Sequence, residues 1–565
     1  MTEASNARTG GQILVDALRG HGVDMAFAVP GESYLAVLDA LYDARDAIRL
    51  ITCRQEGAAA NMAEAYGKLT GRPGICLVTR GPGAANASVG VHTAFQDSTP
   101  MILLIGQVAR GMVEREAFQE IDYRRMFGEM SKWVAQVDDP ARLPEFMSHA
   151  FHLAVSGRPG PVVLALPEDM LRQRAAVADV ARYRRVAASP SADAMAALRE
   201  RLTAAQRPMV ILGGGGWTAA ACDDLRAFAE ANDLPVVTAF RRSDRFDNTH
   251  RLYAGTVGIG INPALARRIG EADLLLAVGP RLGEMTTGGY TLLDIPEPRQ
   301  TLIHIHAGAE ELGRVYRAAL PINAGMPEIA AALRALPPVA PRPWGDWSKA
   351  ARSDYEGFLE HPPVPGALDL GAVIDHLRAV LPPDAIITNG AGNYAIWANR
   401  FYPFHVFPSQ LGPTSGAMGY GVPAAVAAKA VFPERPVVCF AGDGCFLMTG
   451  QELATAVQYD LAVVFLVVNN GMFGTIRMHQ ERHYPTRVHG TALSNPDFAA
   501  YARAFGAHGE TVTASAEFPD AFARALAAGG PALIELRVDP EALTPAASLS
   551  AIRAAALEKA GAGQG

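Results

Sequence analysis

Two oxygen-bearing side chains stand at the ends of successive apolar runs. Asp443, in Ala441-Gly442-Asp443-Gly444-Cys445, closes one run, and Asn469-Asn470 closes the next, Leu461 to Val468. A helical stretch lies between them. One βαβ unit would therefore bring Asp443 and Asn470 to neighbouring carboxyl ends of a parallel sheet, where open α/β sheets hold ligands. A hard divalent cation such as Mg²⁺ wants near-octahedral oxygen ligands, and takes one or two from side chains and the rest from phosphate and water. Asp443 and Asn470 supply two such oxygens, and the flanking glycines let backbone approach a phosphate. A Gly-Asp-Gly alone is more often just a turn. The spacing to Asn-Asn is what raises it above one.

That spacing resembles the metal-diphosphate motif of thiamine diphosphate enzymes. The resemblance implies Asp443, Asn470 and the backbone carbonyl of Met472 as ligands of Mg²⁺, with Gly442, Gly444, Cys445, Phe473 and Gly474 around the diphosphate. It also implies a carboxylate beside the aminopyrimidine ring, which drives the amino group to the imino form that removes the thiazolium proton. Glu56 is the candidate. It follows the apolar strand Ile48 to Ile51 and opens a helix through Gly71. A Glu in a first helical turn has a plainer reading too, interaction with the helix dipole.

The next strand, Gly74 to Val78, runs into Thr79-Arg80-Gly81-Pro82-Gly83-Ala84-Ala85-Asn86. In the acetolactate synthase branch of the family a closely similar glycine-rich turn follows the catalytic glutamate at this distance. That implies cofactor contacts from Thr79, Pro82 and Asn86, together with Pro30 and Gly31. A third match is Gly412 to Pro423. There the resemblance places Met418 under the cofactor, forcing its rings into a V, and the Gly416 carbonyl on the amino group; Met418 is equally suited to filling a core gap. Asn389 to Asn393, carrying Gly392 and Asn393, would be the other diphosphate-facing loop.

The elements that must hold these residues are legible as three α/β blocks. Short β-branched runs alternate with helical patterns throughout, which predicts three doubly wound parallel-sheet domains. Breaks fall at the polar stretch ending in Ala188-Ser189-Pro190-Ser191 and at the proline-rich Leu336 to Pro343 and His361 to Pro365. We place a pyrimidine-binding domain at 1–185, a central α/β domain at 186–345, a diphosphate- and Mg-binding domain at 365–545, and a tail at 546–565. The central block opens with Pro208 to Leu212 and the turn Gly213-Gly214-Gly215-Gly216. Without an acidic residue at the expected distance, it is read as structural, its glycines serving close helix-strand contact, rather than as a dinucleotide fingerprint.

Composition sets outer limits. The chain has 565 residues, 49% hydrophobic and 19% charged, with a net charge of −7, as expected for a large globular protein. No basic stripe points to nucleic acid. Five cysteines show no CxxC spacing and read as small buried hydrophobes in a reducing compartment. Met1 to Gly10 lacks the apolar core of a signal peptide, and no apolar run reaches membrane-spanning length, so a cytoplasmic location is expected.

The resemblance to acetolactate synthases covers nearly the whole chain. It implies decarboxylation of a small 2-oxo acid such as pyruvate followed by carboligation, with Glu56 and Gln119 as catalytic residues. Gln119, in Ala117-Phe118-Gln119-Glu120, favours carboligation, and the adjacent-His pair of pyruvate decarboxylases is absent from this segment. In that family the pyrimidine domain of one subunit faces the diphosphate domain of another. A homodimer or homotetramer is therefore expected, while nothing in the chain speaks for or against a regulatory subunit. The alternatives are a thiamine-dependent lyase or decarboxylase with another substrate, including an acyl-CoA, and a non-catalytic thiamine-binding subunit, against which Glu56 argues.

Three departures from the branch stand out. Where acetolactate synthases carry an acceptor-pocket Trp, this chain has His479, with Arg477 beside it. Together with Phe118 and Ile476 these form the candidate substrate set, though Arg477 and His479 are equally consistent with solvated residues of a helix start. An expected Lys is Glu168. The arginine-aspartate motif that contacts FAD is replaced by Gly279 to Gly288, which counts against FAD.

Overall fold

The computed structural model describes residues 7–562, which fall into two compact units divided between Ala188 and Ser189. The first is built on a six-stranded parallel sheet in the order Arg49–Thr52, Met25–Ala28, Gly74–Val78, Met101–Gln107, Pro161–Pro167, Trp133–Gln136. Its central strands are buried along their whole length and read as continuous apolar runs, because helices cover both faces. The helix Glu56–Thr70 starts where the Gln55 side chain accepts from the Ala58 N–H, and it ends at Gly71 in the left-handed region. Five adjacent strands thus deliver Glu56, Pro30 and Gly31, Thr79 to Pro82, the loop containing Gln119, and Glu168 to one carboxyl edge.

The second unit holds two further six-stranded parallel sheets. The central one runs Tyr253–Thr256, Val236–Thr238, Pro208–Leu212, Leu274–Val278, Thr301–His306, Leu320–Asn323. Its glycine turn has a different purpose from the helix-strand contact expected. A Cβ on Gly214 would fall 2.0 Å from the Gly279 carbonyl oxygen, and Trp217 Nε1 donates to the Gly213 carbonyl at 2.7 Å. The turns at the ends of two neighbouring strands therefore touch each other. Arg241 and Asp244 tie this sheet to the next. Arg241 donates to the Pro413 carbonyl at 2.5 Å, and buried Asp244 accepts from the Ser409 and Gln410 N–H groups at 3.0 and 3.1 Å.

The third sheet runs Gln410–Leu411, Ile386–Asn389, Val437–Gly442, Val463–Asn469, Ala532–Arg537, His508–Val512. Gly442 pairs with Val468 and Asn469 is the last paired residue of its strand, so Asp443 and Asn470 leave the sheet from neighbouring strand ends. The segment read as a tail contains a helix, Leu549–Ala562. It packs on the helix Gly474–His483, with Leu549 and Ile552 joining Met472, Met478 and Leu543 in a small apolar cluster. Its Ala-rich sequence carries too few large apolar residues to announce a buried face. Among the described residues, no helix is long and apolar enough to cross a membrane.

Candidate active site

At the diphosphate end the strand pair dictates which asparagine does what. Side chains alternate along a strand. Asn469 turns toward the sheet, where its Nδ2 donates to Glu535 at 2.7 Å. Asn470 turns the other way and lines a cavity of about 230 Å³ together with Asp443. Asp443 is buried and accepts three hydrogen bonds: Oδ1 accepts from the Gly444 N–H at 2.8 Å, and Oδ2 from the Gly471 N–H at 2.9 Å and Asn495 Nδ2 at 2.8 Å, which leaves a second acceptor site on Oδ1. Burial raises its carboxyl above the usual value, against the opposing pull of those donors.

Four loops close around that cavity, and every residue of this unit that the sequence assigned to the cofactor lies on its wall. Gly392 and Asn393 come from the end of the strand Ile386–Asn389, and Gly416 and Met418 from the loop below. Gly442 to Cys445 follow the strand Val437–Gly442, while Asn470, Met472, Phe473 and Gly474 follow Val463–Asn469. The loops are cross-braced. Thr475 Oγ1 donates to Asn393 Oδ1 at 3.0 Å, and the Cys445 sulfur accepts from the Tyr394 hydroxyl at 3.2 Å and the Gly419 N–H at 3.1 Å. A Cβ on Gly444 would fall 2.6 Å from the Phe473 ring, so only glycine lets these loops meet.

The donor set fits a small hard cation held with a phosphate. It offers one carboxylate, one amide oxygen and the Met472 carbonyl, and a six-coordinate ion would take the rest from ligand and water. Among the described residues, no three His, Cys, Asp or Glu side chains cluster as a metal site. The concave glycine-lined wall beside Asp443 suits a diphosphate.

In the first unit Glu56 accepts from Asn86 Nδ2 at 2.9 Å. It also faces the glycine turn, where a Cβ on Gly83 would lie 3.4 Å from its Oε1. Pro82 begins the helix Pro82–Asp97, Gly31 abuts Thr79, and Thr79 Oγ1 is hydrogen-bonded to Ser33 Oγ at 2.8 Å. Gln119, with φ of 65°, sits against Gly81, while the neighbouring Phe118 is 71% exposed.

The candidate substrate residues of the second unit separate. Ile476 lines the cavity, and Arg477 and His479 do not. Arg477 is engaged by buried Glu481 at 2.9 Å, which Arg553 of the last helix also holds, at 2.6 Å. His479 is exposed and stacked 6.1 Å from His483. Partial burial, Arg482 and His483 keep its imidazole below the usual value.

Sequence reasoning missed four contributors. Asn495 bridges Asp443 and Asn469, and a lone Asn in a polar loop carries no signal. Glu535 accepts from Asn469, Thr511 and Arg537. Its signal was available, since a charge inside Ala532-Leu533-Ile534-Glu535-Leu536 must find partners once buried. Ala542 and Leu543 close the cavity from beyond the last strand.

Comparison with known proteins gives three consecutive family matches. "Thiamine pyrophosphate enzyme, N-terminal TPP binding domain" covers residues 8–126, the central domain 195–336, and the "C-terminal TPP binding domain" 390–536. The chain is 35% identical over 551 residues to an acetolactate synthase large subunit of Parasynechococcus marenigrum, covering 94% of this chain and 87% of that one. It is 33% identical over 543 residues to one of Corynebacterium glutamicum (92% and 85%). It is 32% identical over 537 residues to the isozyme 2 large subunit of Escherichia coli (94% and 95%).

Proposed function

The chain belongs to the thiamine pyrophosphate enzyme family, and on that premise we propose that it decarboxylates a small 2-oxo acid and transfers the remaining acyl unit to a second carbonyl compound, as a carboligase of the acetolactate synthase kind. The observation that carries this reading is a cavity on whose wall Asp443, Asn470, Met472 and Met418 meet. Thiamine diphosphate, when bound, supplies a nucleophilic carbon and an electron sink for decarboxylation.

The chain's own residues would hold and orient. Asp443, Asn470 and the Met472 carbonyl would bind Mg²⁺ on the diphosphate, and Met418 would support the ring system. Glu56, oriented by Asn86, would hold a proton opposite the aminopyrimidine. Phe118 and Gln119 would meet the acceptor, and Ile476 the donor's side chain. Arg477 is off the cavity wall and held by Glu481, so it is given no substrate anion to bind, and FAD has no assigned place. The family resemblance also supports a homo-oligomer, with domain limits near 185, 345 and 365.

The test is a panel of 2-oxo acids with purified protein, thiamine diphosphate and Mg²⁺, following CO₂ and acyloin separately. Both products are expected from at least one small acid. CO₂ with aldehyde alone would make the enzyme a decarboxylase, and turnover without CO₂ would make it a lyase.

A further inference from the structure

The loop that carries Phe118 and Gln119 is fastened at both ends by adjacent acids of one short helix, Glu168–Arg172. At its start Asp169 accepts from the Arg110 N–H at 3.0 Å and from Arg110 Nε at 2.9 Å. Near its end Glu168 accepts from Arg80 at 3.1 Å, and Arg80 Nε donates to the Phe118 carbonyl, also at 3.1 Å. Arg80 is only 8% exposed, with Glu32 as a more distant second carboxylate at 3.5 Å. Glu120 gathers the middle, accepting from the N–H groups of Glu114 and Ala117 at 2.7 and 3.0 Å.

These contacts oppose a local cost. Glu114, Glu116 and Gln119 have φ of 65°, 52° and 65°, a region that L side chains rarely adopt and that persists only where surroundings over-determine it. Gln119 is pressed against Gly81, where a Cβ would lie 2.7 Å from its own Cβ. Arg80 immediately precedes Gly81 in that turn. It therefore links the glycine turn, the loop and the short helix.

We propose that Arg80 is a positioning residue that holds the Phe118-Gln119 peptide against the glycine turn, and that Glu168 serves to orient Arg80 rather than to meet substrate. The functional part rests on the reading above, in which Phe118 and Gln119 face the acceptor. Arginine suits the role because a planar guanidinium donates in two fixed directions at once, here to a carbonyl and to a carboxylate. A lysine ammonium has no such fork.

Hydrogen exchange over residues 112–121 in the full-length protein tests this, with Arg80→Met, Arg80→Lys and Glu168→Gln as variants. Arg80→Met should speed exchange in the loop on the order of tenfold. Arg80→Lys should fail to restore protection, and Glu168→Gln should move it less in the same direction. In turnover, the acceptor KM should rise more than kcat falls. Unchanged loop exchange in Arg80→Met overturns the proposal, as does a Glu168→Gln variant whose KM rises while its exchange stays wild-type. Should Arg80→Met fail to fold, wild-type exchange in both other variants overturns it. If the wild-type protein turns over no 2-oxo acid, the functional reading fails, yet the exchange comparison still decides the positioning role.

Discussion

Arg477 and Glu168, two charged departures from the resembled branch, each face an opposite charge. Arg477 is held by Glu481 and Glu168 by Arg80, so each has a partner within the protein. Sequence could flag both positions but not their partners, which come from 4 and 88 residues away. The pair Asp443 and Asn470 was more legible, because the family resemblance singles out the second asparagine, and strand alternation sends Asn469 and Asn470 to opposite sides. Two predictions belong at this scale. Glu56→Gln should abolish turnover while leaving thiamine diphosphate affinity within about threefold, since a single neutral isostere keeps the Asn86 contact; a fluorescence titration beside the product assay checks it. Asn495→Ala, which removes a donor from Asp443, should weaken Mg²⁺ binding by roughly 10- to 100-fold, the usual effect of losing a group that orients a ligand. Titrating the metal at saturating cofactor measures that.

Among elements, the terminal helix is the piece least visible in the sequence and the one with a clear energetic anchor. Glu481 is fully buried and held by two arginines, and the hydrogen bond from Arg553 is the first reason its carboxyl lies at about 2. A carboxyl depressed on folding adds stability that is complete above its unfolded value, about 4.3, and is lost as pH falls toward the folded one. Docking of the helix Leu549–Ala562 should therefore weaken between about pH 5 and 2. Arg553→Met should cost about 2 kcal/mol, below the full penalty for an unpaired buried charge because Arg477 remains. Limited proteolysis of the carboxyl terminus across that pH range, in both proteins, would show earlier release and a flatter acid dependence in the variant. The strands were easier to read than this helix. Buried parallel strands such as Val463–Asn469 are long unbroken apolar runs, whereas an Ala-rich helix depends on a few contacts that sequence does not mark.

Among the described residues, each unit carries a buried imidazole that its surroundings keep neutral, His21 in the first and His304 in the second. Burial pushes His21 and His304 down to about 4. In the unfolded chain both would take a proton near 6.5, so unfolding becomes easier as pH falls from about 6.5 toward 4, and stability is complete above that window. Urea unfolding at several pH values should show this slope, and His304→Gln should reduce it. Cofactor and metal act in the opposite sense. Thiamine diphosphate with Mg²⁺ should raise the thermal midpoint, by mass action on the folded state, and a chelator should reverse the gain. Three parallel sheets were legible because each alternates with helices, but their six strands apiece and the fastening of the central sheet to the third, through Arg241 and Asp244, were not. All five thiols are buried, and Cys445 is braced between Tyr394 and Gly419 at the centre of the cofactor loops. The folded protein should therefore be nearly silent toward a thiol-reactive dye. The rate at which the Cys445 adduct forms then becomes a clock for opening of the cradle, readable by mass spectrometry before any substrate is known.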